Sequence, residues 1–243
     1  MSLSTSGLTM ILVACFGQLC AGCGQNTPDH LDFALRTLSF ELSSDSPEWR
    51  QAPATLVPNM ICAGPLALIT DCCLPPPPAS PIDCQQYPIA CDPDDNFCAS
   101  TFDMEQGIDL NLVADVPEVA AVDGNVFSRV ALLSFESKAA GLDGMVAGLD
   151  KVSAVRSASL YIGPSGMRHS SNPAARLLAP VKLVPGTSAL VLSADAQQAF
   201  SSFARDYRTP FSLLLSAHFV VRNGTMPAGT LTFSVDGRAQ AWY

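Results

Sequence analysis

Charge is what this chain has least of. Asp, Glu, Lys and Arg make up only 14% of its 243 residues, against about 25% in an average soluble protein. Lysine occurs just three times, as Lys138, Lys151 and Lys182, and the 13 basic residues never form a run. The formal net charge is −9. Binding to nucleic acid needs clustered Lys and Arg to neutralise phosphates, so the composition argues against a nucleic-acid partner. It also offers no polybasic patch for an anionic lipid surface. Histidine is scarce too: only His30, His169 and His218 are available as imidazole bases. No glycine-rich phosphate loop, His-Glu zinc motif, dinucleotide fingerprint or internal repeat occurs. With so few charges the surface must draw its polarity from Ser, Thr, Asn, Gln and Gly, which leans towards a β-rich protein outside the cytoplasm.

What the chain does have is an uncharged apolar run near its start, residues 7 to 22, GLTMILVACFGQLCAG. Sixteen helical residues span roughly 24 Å, short of the roughly 30 Å hydrocarbon core, so a signal peptide over residues 1–22 fits better than a membrane span. The chain then turns polar at once, with Gly24-Gln25-Asn26-Thr27-Pro28-Asp29.

The run closes on Cys20-Ala21-Gly22-Cys23. Small residues just before a cysteine resemble the lipobox of bacterial lipoproteins. The resemblance covers only the first two dozen residues. It implies that the Cys23 thiol receives diacylglycerol, that the chain is cut just before it, and that the new terminus is acylated. Residues 23–30 then form a tether, and the membrane is a partner through the lipid. Gly24 follows the cysteine, where an Asp retains some lipoproteins in the inner membrane, so the outer membrane of the cell envelope is the implied location. This chain departs from the pattern in two ways. Its first basic residue is Arg36, whereas the class carries Lys or Arg near the start. Cys20 stands three places before Cys23, where Leu is usual; Leu19 sits one place earlier. Leu12-Val13-Ala14-Cys15 is a second match, but it leaves a very short apolar segment. A plain secretory signal is the competing reading.

Cysteine parity agrees with a lipid on Cys23. Of nine cysteines, six lie beyond it: Cys62, Cys72, Cys73, Cys84, Cys91 and Cys98. Six can form three bridges with no thiol left over, in any of 15 pairings. Their density suggests disulfides and an oxidising compartment. Adjacent Cys72 and Cys73 are expected to bond different partners. A zinc site is the alternative, but the spacing lacks the tight pairs of structural zinc motifs.

The rest of the chain, 31–243, reads as one domain of mainly β structure. Leu31–Leu35 and Leu38–Leu42 alternate, with a phase slip at Arg36-Thr37 that a bulge would explain. Residues 43–100 are rich in Cys and Pro, with Pro75 to Pro78 unbroken, and read as a disulfide-stapled, loop-rich insertion. Strands are predicted at Ile108–Leu112, Val126–Glu136 and Ser153–Ile162. A short helix is predicted around Leu142 to Val152, and a hairpin or corner at Pro185-Gly186. The clearest helix is Ala194–Tyr207, with Ser193 as N-cap and Ala196, Phe200, Phe203, Ala204 and Tyr207 as its apolar stripe. At the C-terminus, turns at Asn223-Gly224 and Asp236-Gly237 predict a three-stranded meander. The expected fold is an antiparallel β-sandwich with one crossing helix.

Two sites carry candidate chemistry. Asp92, Asp94 and Asn96 alternate between two cysteines, and Asp103 is the twelfth residue counted from Asp92. That spacing partly resembles a calcium loop of the EF-hand type, although Phe97 replaces the glycine such a loop needs at its sixth place. Ser165 and His169 lie close in sequence, as a nucleophile and its base could, but Met167 breaks the Gly-x-Ser-x-Gly elbow. The leading expectation is a non-catalytic envelope lipoprotein without a cofactor, binding protein or glycan. The competing expectations are a calcium-stabilised surface adhesion module and an envelope serine hydrolase.

Overall fold

The computed structural model describes residues 30–46, 57–62, 70–73, 89–92, 96–122, 124, 126–141, 146–147, 152–153, 155–182, 186–222 and 229–243. In chain order the elements are β1 (His30–Ala34), β2 (Leu38–Ser43), α1 (Thr70–Cys73), β3 (Ile89–Asp92), β4 (Phe97–Leu110), α2 (Leu112–Asp115), α3 (Pro117–Ala120) and β5 (Arg129–Ala140). Then follow β6 (Val146–Ala147), β7 (Val152–Ser153), β8 (Val155–Pro164), β9 (Arg176–Val181), β10 (Gly186–Ala189), α4 (Ala194–Ala204), β11 (Phe211–Arg222) and β12 (Thr230–Trp242).

The chain folds as an antiparallel β-sandwich, as the alternation predicts. One sheet, here called A, runs β1-β12-β5-β10, with β2 also on β12; the other, B, runs β3-β4-β11-β8-β9. Alternate residues of each strand fill the space between them: Phe211, Leu213, Leu215, Ala217 and Phe219 from β11, and Leu231, Phe233, Val235, Ala239 and Ala241 from β12. Phe40 meets Phe233 at 6.2 Å between ring centroids, and Phe102 stacks on Phe219 at 5.3 Å. Each aromatic ring removed from water here is worth a few kcal/mol, about 25 cal/mol per Å².

Several predictions of local structure are corrected by this topology. The slip at Arg36-Thr37 is a strand break, not a bulge: β1 pairs with Arg238 to Trp242 and β2 with Thr230 to Val235, both on one side of β12. The C-terminal meander does not form. β11 lies in sheet B and β12 in sheet A. Asp236-Gly237 sits inside β12, because Leu35 and Phe135 pack where a side chain at Gly237 would stand, 2.9 and 3.2 Å from a built Cβ. The stretch read as a helix contributes the two-residue pair β6–β7 instead, with Leu142, Met145 and Leu149 outside the described residues. The chain changes sheets between Val181, which ends β9 in sheet B, and Gly186, which starts β10 in sheet A; Pro185 lies outside the described residues. Asn223-Gly224 lies outside the described residues.

The crossing helix is α4. Ser193 caps it by accepting the Ala196 N–H at 3.1 Å, and Ala196, Phe200 and Ala204 face the core. It packs on β5 of sheet A and on β8 and β9 of sheet B. It also completes an edge. β10 pairs with β5 from Glu136 to Ala139, so among the described residues the earlier part of β5 has no strand neighbour on that side. There the Gln197 amide donates to the Leu132 carbonyl at 3.0 Å and accepts the Leu132 N–H at 3.2 Å, as a partner strand would. Ser201 accepts the Val130 N–H at 3.3 Å.

The sandwich has two distinct ends. At one, His30 lies opposite Trp242, which in turn is opposite Arg129. Phe211 and α4 lie at this end too, joined by the Phe200–Phe211 ring contact at 6.2 Å. At the other end Arg222 pairs with Ala99, next to the β3–β4 hairpin and its cysteines. The twelve residues of β11 put roughly 36 Å between the two ends.

Candidate functional site

The disulfides gather at the end far from His30. Cys62 bonds Cys91 and Cys72 bonds Cys98, with Cα separations of 6.0 and 5.6 Å. Cys73 is disulfide-bonded as well, so the adjacent pair does bond to different partners. Cys91 and Cys98 face each other across the hairpin, and each is tied outward to a separate segment. The Cys62 N–H donates to the Asn96 carbonyl at 2.7 Å and the Cys98 N–H to the Met60 carbonyl at 3.1 Å. Val57, Cys62, Cys72, Ile89 and Cys98 form a small core of their own. Three sulfurs, of Cys62, Cys72 and Cys98, lie within 4.8 Å of one another. All three are in bridges, so none is a thiolate able to ligate zinc. Cys23 and Cys84 fall outside the described residues.

The calcium-type spacing does not converge. Asp92 ends β3, 3% exposed, and its carboxylate accepts from Arg156 at 2.7 Å and lies 3.7 Å from Arg222. Asp103 stands in the middle of β4, with the extended residues 97–102 between it and the hairpin, about 20 Å away. Its carboxylate is 2.8 Å from Nδ1 of His218, its cross-strand neighbour. Asn96 holds the hairpin turn at φ 59°, a left-handed conformation that Asn tolerates, and its N–H donates to the Asp92 carbonyl at 2.9 Å. Asp94 lies outside the described residues.

The most organised polar surface is the outer face of sheet B, which the sequence does not single out. Register places Asp103 beside His218, Glu105 beside Ser216, Gly107 beside Leu214 and Asp109 beside Ser212. The segment from Ser165 to Ala175, between β8 and β9, folds back across this face. The Met167 side chain is buried there, and its carbonyl lies so close to Gly107 that a Cβ at that position would stand 2.2 Å from it. This loop predicts why β11 is buried on both faces and reads as a nearly continuous apolar run.

Two carboxylates on β4 hold the loop. Asp109 accepts the Gly166 N–H at 2.9 Å and the Ser212 hydroxyl. Those two bonds, the Arg168 guanidinium and the Ser165 hydroxyl hold its carboxyl below the ordinary Asp range, against a small opposing effect of burial. Glu105 accepts the Ser170 N–H at 3.0 Å and sits 3.1 Å from Nδ1 of His169. Burial works to raise its pKa, but hydrogen bonds from Ser170, His169 and Ser216 together outweigh it, and the net shift is downward. The Ser165 hydroxyl therefore serves Asp109 while His169 serves Glu105. The pair suggested by sequence as nucleophile and base is engaged with two different carboxylates.

No family model matches this chain, and no curated protein or solved structure matches it either.

Proposed function

We propose that this protein is a non-catalytic binding module of the bacterial cell envelope, anchored through a lipid on Cys23 to the outer membrane. One observation carries the reading: the chain enters the sandwich at His30, at the end opposite the disulfides. Only the six residues 24–29 separate Cys23 from β1, at most about 21 Å of extended chain. An anchor at Cys23 would keep the His30 end near the bilayer and direct the cross-linked end outward. The bridges fit an oxidising compartment and give that end a fixed shape without a large core of its own. Ile61 lies among them, 65% exposed, an apolar contact point suited to a protein or glycan partner. The commitment of Ser165 and His169 to separate carboxylates favours binding over hydrolysis. Among the described residues no helix is long and apolar enough to cross a membrane.

The test combines labelling with cross-linking in the native organism. Labelled fatty acid should enter the wild-type chain and be lost in Cys23→Ser. A photo-cross-linking residue at position 61 should give adducts that the same residue at position 133, an exposed Leu on β5 of sheet A, does not. Label retained in Cys23→Ser, or equal adducts from both positions, contradicts the proposal.

A further inference from the structure

Two of the three histidines in the chain stand on one face of sheet B, and both are bound in the same way. His218 Nδ1 is 2.8 Å from Asp103 Oδ1, and His169 Nδ1 is 3.1 Å from Glu105 Oε2. A carboxylate can only accept, so in each pair Nδ1 carries the proton and the neutral ring leaves its lone pair on Nε2. Neither Nε2 makes a hydrogen bond among the described residues, and the two side chains are 41% and 76% exposed.

The two pairs occupy neighbouring rows. Asp103 and Glu105 are two residues apart on β4 and project from the same face, about 7 Å apart. His218 stands opposite Asp103 in the β4–β11 register. His169 reaches Glu105 from the docked loop, whose backbone is fixed by the Gly166 and Ser170 N–H bonds. One imidazole is thus placed by a strand and the other by a pinned loop. A metal-binding imidazole almost always gives its other ring N–H to a carboxylate, which sets the tautomer and increases ligand basicity. Here both imidazoles have that arrangement.

We propose that His169 and His218 bind one divalent transition-metal ion through Nε2, with Glu105 and Asp103 orienting the rings and solvent completing the coordination. Imidazole nitrogen favours zinc, copper or nickel over the hard ions calcium and magnesium. The site is distinct from the Asp92 hairpin and does not depend on the lipid anchor.

Calorimetric titration of the full chain with zinc chloride tests this. One ion per chain is expected, with no heat from calcium at the same concentration. His169→Ala and His218→Ala should each lower zinc affinity at least about tenfold, while His30→Ala leaves it unchanged. Asp103→Asn, a change at an exposed position, should weaken binding by about tenfold with the fold intact, the cost typical of removing an orienting carboxylate. No zinc binding, equal calcium binding, or zinc binding that survives either histidine variant in a folded chain overturns the proposal.

Discussion

Replacing Gly107 by Ala should lift the Ser165–Ala175 loop off sheet B. The added Cβ would lie 2.2 Å from the Met167 carbonyl oxygen, a backbone atom, and 3.1 Å from a terminal nitrogen of Arg168. The Arg168 end can swing aside; the carbonyl can retreat only if the loop rises by about 1 Å towards ordinary contact distance. That stretches the bonds from Gly166 N–H to Asp109, now 2.9 Å, and from Ser170 N–H to Glu105, now 3.0 Å. Hydrogen bonds to a charged group contribute about 1.5–3 kcal/mol. The Asp109 side chain is 41% exposed, so its share belongs at or below the low end of that range. Partial exposure of Met167 adds about 1 kcal/mol. The combined cost is about 2–4 kcal/mol, a substantial part of the roughly 5–15 kcal/mol that holds a domain together. Urea unfolding gives the free energy, and hydrogen exchange at the Gly166, Met167 and Ser170 amides shows whether the loop has lifted. Gly163→Ala is the matched comparison: its Cβ meets the Met167 sulfur at 2.3 Å, a flexible side-chain atom, so its cost should be smaller. A Gly107→Ala protein within about 0.5 kcal/mol of wild type, with those amides still protected, would refute the reasoning.

The same carboxylates predict an acid response. Both are held below their ordinary values of 3.8 for Asp109 and 4.5 for Glu105, so their stabilisation is full above that range and is lost as pH falls through the lower folded values. Unfolding free energy should drop below about pH 4.5, and Asp109→Asn should flatten part of that slope in a urea series across pH. Gln197→Ala leaves the Leu132 N–H and carbonyl without their amide partner and should cost about 2 kcal/mol, whereas Gln198→Ala on the same helix should cost little. Asp92→Asn leaves Arg156 and Arg222 beside a neutral group at a 3% exposed site; the melting temperature should fall, with a cost of about 3 kcal/mol, and added calcium should not restore it.

How far the sequence carries the fold depends on the range of the cause. The Ser193 cap and the stripe of Ala196, Phe200 and Ala204 act within a few residues and are present as predicted, but α4 ends at Ala204, so Tyr207 is buried beyond the helix and not on it. Strand alternation identifies the sandwich because period-two burial is a local pattern. Asp236-Gly237 misleads because the glycine answers to Leu35 and Phe135, side chains far away in sequence. The meander fails for a related reason: a turn signal between two strands does not fix whether they share a sheet. The spacing of Asp92 and Asp103 suggests a loop only if residues 97–102 curl, and they are extended and paired instead. The outer face of sheet B was the least legible part. Glu105 meets Ser170 across 65 residues and Asp109 meets Ser212 across 103, and nothing in either segment alone announces the other. The one local clue was Gly107, an isolated glycine within a strand, which signals a close backbone approach.

The most direct test of the whole account is the intact mass of the protein extracted from its native membrane, measured before and after reduction. The account predicts a chain beginning at Cys23 and carrying acyl groups. It also predicts a gain of about six hydrogens on reduction, since the five described cysteines are all bridged and an odd number requires a sixth. A chain without lipid, or one that gains no mass on reduction, would contradict it.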